Sequence, residues 1–184
     1  MNYIALHCKN QAGVKMQNKT KYMAIFLAAS AAFFVGVKQQ EGYTADPVIP
    51  VKGDRPTQGH GTTVKPDGTP VKMTDPPITR QTADKWLRSH VAKDEIAFRK
   101  SLQGVQISQV EYDVYLDFVY NFCQSNWQQS SMLKNLKAGQ YVQACQSLLK
   151  WKYVAKRDCS VRSNGCYGVW KRQLDRYEKC MGVQ

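Results

Sequence analysis

A chain of 184 residues suits one domain with some length to spare. Its formal charge of +12 points to an anionic partner: nucleic acid, an acidic membrane face or an acidic wall polymer. Six cysteines are many for a cytosolic protein, and the absence of P-loop, Gly-x-Ser-x-Gly and His-Glu-x-x-His patterns leaves nucleotide hydrolysis, serine esterase and zinc protease chemistry without support.

Residues 1–21 carry Lys9, Lys15, Lys19 and Lys21 and no acid, and show no packing pattern, so disorder is expected there. Tyr22 to Val37 is uncharged. As one helix it spans about 24 Å, short of a hydrocarbon core roughly 30 Å thick. The lysines before it predict that the N-terminus stays in the cytoplasm. Three readings compete: a buried core helix, a signal peptide cleaved near Ala29-Ser30-Ala31, and a weakly held anchor.

Glu41 to Thr63 is dense in Pro and Gly, which mark a backbone that turns repeatedly. It holds Glu41, Asp46 and Asp54, together with Thr57 and the Gly59-His60-Gly61 turn. A glutamic acid with a nearby carboxylate is the minimum equipment for hydrolysing a glycosidic bond. Glu41 is the candidate general acid. Pro66-Asp67-Gly68 predicts a turn between short extended pieces at Thr62 to Lys65 and Pro70 to Met73, completing a small β lobe.

Helices follow. Thr79 is placed to cap one from about Gln81 to Leu102, in which lone His90 reads as packing. Ser108 and Glu111 form a capping box for the most apolar helix, which should be central. Ser130 or Ser131 caps Met132 to Ala138, and Gly139 stops it. Tyr141 to Val154 and Val169 to Met181 are the last two. The fold class is α+β: a small β lobe, then a larger, mostly helical lobe, with a cleft between them.

Cys8 precedes the apolar run. Of the other five cysteines, Cys159 and Cys166 flank the Ser163-Asn164-Gly165 turn, and Cys145 and Cys180 lie on the last two long helices. Four cysteines allow three pairings, and sequence does not choose among them; the two that placement suggests would close loops worth about 2.5 and 4 kcal/mol by chain entropy. Cys123 is then a buried free thiol. No Cys/His spacing suits zinc.

Glu41-Gly42, followed by Gly53, Thr57, Gly59 and Gly61, resembles the catalytic signature of the phage-type lysozymes, glycoside hydrolase family 24. The likeness covers roughly Glu41 to the C-terminus. It includes a Phe118-Val119-Tyr120-Asn121 phrase and a Cys-x6-Cys loop before an Arg-containing final helix. It departs at one place: the second carboxylate usually lies nine positions after the Glu, where this chain has Pro50. The resemblance implies a lysozyme-like fold preceded by one hydrophobic helix, with the catalytic domain over 38–184. It carries the roles of second carboxylate to Asp54, with Asp46 as runner-up, and of water-positioning hydroxyl to Thr57. It implies a cofactor-free, monomeric endolysin that cleaves between N-acetylmuramic acid and N-acetylglucosamine and lyses the host cell. Its partners would be peptidoglycan and the inner membrane, not nucleic acid. Residues 22–37 would be a signal-arrest-release segment, leaving the protein tethered and then periplasmic. The alternative, motivated by Pro50, is a non-catalytic wall-binding protein on the same fold.

Overall fold

The computed structural model describes residues 19–184, so the basic N-terminal segment lies outside the described residues but for its last three. The expected single helix over Tyr22 to Val37 is divided. Tyr22–Met23 (β1) pairs antiparallel with Gln106–Ile107 (β4), a 3-10 turn covers Ala24–Phe26, and Ala31–Glu41 forms α1. The division has a local cause. The Ser30 side chain accepts the Phe33 N–H and so starts a helix in mid-segment. Asp113 fixes that cap by accepting from both the Ser30 hydroxyl, at 2.5 Å, and its N–H, at 3.1 Å. Ala24, Phe33, Phe34 and Val37 are buried in the core. No helix among the described residues is long and apolar enough to cross a membrane.

After α1 the chain makes an antiparallel hairpin, Thr44–Val48 (β2) with Thr57–Gly59 (β3). A tight turn joins Gln58 to Thr62 by reciprocal backbone bonds of 3.0 Å, and a bridge pairs Val64 with Pro70. The Asp67 side chain closes the turn between them by accepting the Thr69 N–H at 2.9 Å. The β lobe is thus as small as its Pro and Gly content predicts.

Arg80–Ser101 (α2) is capped by Thr79, and Gln109–Gln128 (α3) by the Ser108–Glu111 box. α3 is the centre of the helical lobe. Tyr112, Tyr115, Phe118 and Val119 are buried and pack with Phe98 and Trp127. The Trp127 indole N–H donates to Ser101 at 2.8 Å, so this large ring is buried without an unmet donor. α3 breaks at Cys123, whose φ of 68° is left-handed, and Cys123 is exposed rather than buried as expected.

Ser131–Lys137 (α4) is capped by Ser130. The expected helix from Tyr141 to Val154 is shorter. Tyr141–Ser147 (α5) passes into a 3-10 turn at Leu148–Lys150, then into a hairpin, Tyr153–Val154 (β5) with Arg157–Asp158 (β6). Tyr167–Met181 (α6) closes the fold. Both expected disulfides are present: Cys145–Cys180 ties α5 to α6, and Cys159–Cys166 spans the turn before α6.

Candidate active site

Glu41 is the last residue of α1. Gly42 ends the helix with φ 72°, and its N–H still donates to the Lys38 carbonyl at 3.0 Å. That left-handed step is open to glycine without steric cost and turns the chain from helix into β2. The acid therefore stands where the helical lobe meets the hairpin.

Thr44 pairs with Gly59 beside the acid, and Val48 pairs with Thr57 farther along the hairpin. Gly61, with φ 75°, is the closest approach: a Cβ built on it would lie 3.3 Å from Glu41 Oε2. The Gly59–Gly61 turn thus packs directly on the carboxylate. From the other side, Arg172 on α6 brings Nη1 within 3.7 Å of Glu41 Oε1. Arg172 is held by Asn121 Oδ1, at 3.0 Å. The Asn121 amide is oriented in turn, because its nitrogen donates to the Asp117 carbonyl at 2.8 Å. Asp117 accepts from buried Arg176 at 2.6 Å. The Glu41 side chain is 27% exposed, sheltered yet open to a ligand. Next to Asn121, burial and then the charges of Glu41 and two aspartates push the Tyr120 phenol up to about 12.

Thr57 sits on β3, two residues or roughly 7 Å along the strand from Gly59. Its hydroxyl donates to the Val48 carbonyl at 3.3 Å. Asp54 lies exposed on the loop between β2 and β3, in a turn closed by its own N–H to the Val51 carbonyl at 2.9 Å. Pro50 is on the same loop, and Asp46 is exposed on β2. Thr57 is thus farther along the hairpin from Glu41 than Gly59 is, and Asp54 farther still, on its outer end. Glu41 thus offers a partly sheltered carboxyl, a form suited to proton transfer.

The reading of the sequence did not single out Arg172. Its signal was the Arg-containing final helix of the resemblance, and nothing local ties it to Glu41 or to Asn121. A separate cavity of about 230 Å³ opens between α1, α3 and α6, with Phe33, Val37, Gln40, Val114 and Asp117 among its walls. Among the described residues, no group of three or more His, Cys, Asp and Glu side chains converges as a metal site.

A family model described as phage lysozyme matches residues 38–180. A probable prophage lysozyme of Escherichia coli K12 is 38% identical over 56 residues, a stretch that is 30% of this chain and 32% of that relative. The chain thus matches about a third of that curated relative's length. An endolysin from a phage of Escherichia coli O157:H7 superimposes with a TM-score of 0.70 at 26% identity, covering 85% of this chain and 94% of its own. A mutant of P22 lysozyme does so with a TM-score of 0.69 at 24% identity, over 84% and 99% of the two chains. The active form of the P1 phage endolysin Lyz gives a TM-score of 0.65 at 14% identity, over 85% and 86%. The last two, at such identities, speak to the fold alone.

Proposed function

The chain belongs to the phage lysozyme family, and from that premise we propose that it is a peptidoglycan hydrolase. It cleaves between N-acetylmuramic acid and N-acetylglucosamine and so lyses the host cell. The observation that carries the reading is the placement of Glu41, a carboxyl held between the Gly61 turn and Arg172 where the helical lobe meets the hairpin. Breaking an acetal needs a proton on the leaving oxygen and a water or nucleophile at the anomeric carbon. Glu41 gives the proton. Asp54 stabilises charge on the ring or orients the water, and the Thr57 hydroxyl positions that water.

The test is the release of reducing ends from purified peptidoglycan. Glu41→Gln cannot deliver a proton and should lose nearly all activity while melting like the wild type. Asp54→Asn should lose far more than Asp46→Asn. Retention of most activity by Glu41→Gln defeats the assignment. Pro50 at the usual carboxylate position supports a second reading, a protein that binds the wall without cutting it. That reading requires the wild type to sediment with peptidoglycan and release no reducing ends.

We further propose that residues 22–37 engage the inner membrane before the fold forms, with residues 38–184 facing the periplasm. The same Phe33, Phe34 and Val37 that would face lipid are buried in this fold, and α1 ends on Glu41. An embedded segment therefore withholds α1 from the domain, and the tethered form is inactive until the segment leaves the bilayer. Ala28, Ala31 and Ala32 are exposed in the fold, so leucines there should not disturb packing. Each favours insertion by about a few tenths of a kcal/mol. The triple variant should remain in the membrane fraction and lyse late. Lysis on schedule defeats the idea.

A further inference from the structure

His60 stands between the two glycines of the turn, and its side chain is only 5% exposed. Its Nδ1 lies against the carbonyl oxygen of Gly42, the residue directly after Glu41. Its Nε2 is 3.1 Å from Asp84 Oδ1 on α2. The other oxygen of Asp84 accepts from Lys38 Nζ at 3.1 Å. Lys38 is one turn before Glu41 on α1, and its carbonyl accepts the Gly42 N–H. One carboxylate on α2 is therefore tied to both sides of Glu41, to the end of the Lys38 side chain and, through His60, to the Gly42 carbonyl.

Packing alone does not account for this arrangement. A ring buried for its shape leaves a nitrogen idle, as His90 does: its Nε2 is buried without a hydrogen-bond partner. Both nitrogens of His60 instead lie within hydrogen-bonding reach of oxygen atoms, a backbone carbonyl and a carboxylate. Desolvation opposes the charge on Asp84, yet the bonds from Lys38 and His60 hold its carboxyl below the usual range. The Arg172 contact cannot substitute for this clamp. It is long, at 3.7 Å, and it touches the end of the side chain rather than the backbone.

We propose that His60 and Asp84 are positioning residues for the acid: they fix the last turn of α1, and with it the Glu41 carboxyl, against the Gly-x-Gly turn. The proposal rests on reading Glu41 as the general acid. A displacement of about 1 Å in a reacting group can cost about 100-fold in rate. His60→Ala and Asp84→Asn should therefore lower kcat on solubilised glycan strands about 10- to 100-fold, with KM changed less than about threefold. His60→Gln, which keeps one donor toward Gly42, should recover part of the loss. Asp75→Asn, which removes the Lys65–Asp75 ion pair of the same lobe, is the stability control and should leave kcat near wild type.

Amide hydrogen exchange on the same proteins reads the clamp without catalysis. The amides of Gln40, Glu41 and Gly42 should exchange about tenfold faster in His60→Ala and Asp84→Asn, with α3 unchanged. Unchanged exchange at these amides overturns the clamp. Faster exchange with an unchanged kcat, a change in KM alone, or an equal kcat loss in Asp75→Asn overturns the positioning role. A wild type that releases no reducing ends overturns the reading of Glu41 as the acid, and the exchange arm then judges the clamp by itself.

Discussion

Gly59 and Gly61 occupy the same turn with nearly the same backbone, φ 69° and 75°, so alanine at either meets the same left-handed strain. That strain costs roughly 1–2 kcal/mol. What differs is the neighbour. A Cβ on Gly59 meets Ala83 Cβ at 3.0 Å and Ala83 Cα at 3.4 Å, with Ile78 Cδ1 at 3.3 Å. Ala83 sits on α2, whose backbone does not yield, so overpacking adds roughly 1–3 kcal/mol. A Cβ on Gly61 meets only the end of the Glu41 side chain, at 3.3 Å. A carboxylate there gives way by a few tenths of an ångström at little cost in stability. Gly59→Ala should then lose about 2–5 kcal/mol and Gly61→Ala about 1–2, read as Tm shifts at about 2–4 °C per kcal/mol. Activity should run the other way. Gly61→Ala displaces the proposed acid and should lose about tenfold in kcat, while Gly59→Ala, assayed well below its Tm, should lose less. Thermal melts and initial rates of reducing-end release decide the matter. If the more destabilised variant is also the less active one, the carboxylate is not set by Gly61 and the reasoning fails.

Replacing Cys145 and Cys180 together by alanine should cost about 4 kcal/mol, against about 2.5 for the Cys159–Cys166 pair, because the first closes the longer loop; urea melts of the two variants check the order. In the folded, oxidised protein Cys123 should react with a thiol reagent, since it is exposed at the break in α3; protection of Cys123 in peptide mapping contradicts this. The Lys152 hydrogen bond, followed by those from Ser160, pulls the Asp158 carboxyl down to about 2 from 3.8. A lowered folded value means its contribution is whole above 3.8 and lost as pH falls toward 2, so Tm should fall less over that window in Asp158→Asn than in the wild type.

What was legible in the sequence was local. Thr79, Ser108 and Ser130 each sit one residue before their helices and accept the expected backbone N–H, because a cap is decided within one turn. Turn and helix placement suggested the disulfide partners, but four cysteines allow three pairings and only the fold chooses among them. Tyr22 to Val37 resisted for a physical reason: a protein core and a bilayer both select apolar residues, and composition cannot distinguish them. The cue for the break at Ser30 is completed by Asp113, which lies far along the chain. The hairpin after α5 was hidden because its turn puts Ala155 and Lys156 at positive φ, where the usual glycine signal is missing. Around Glu41, the glycines of the turn were readable as a nearby run, while Arg172 and Asp84 reach it only through tertiary contacts.

The beginning and end of the described chain meet at one residue. Buried Glu111, already engaged in the cap of α3, accepts from Lys21 at 3.1 Å and from the Gln184 amide at 3.0 Å, and Lys19 reaches the Gln184 carbonyl at 2.9 Å. The two ends of the described stretch, residues 19–184, thus lie side by side. A circular permutant that joins Gln184 to Lys19 through a short linker and opens between Ala155 and Lys156 relieves two left-handed residues and leaves every segment of the site uncut.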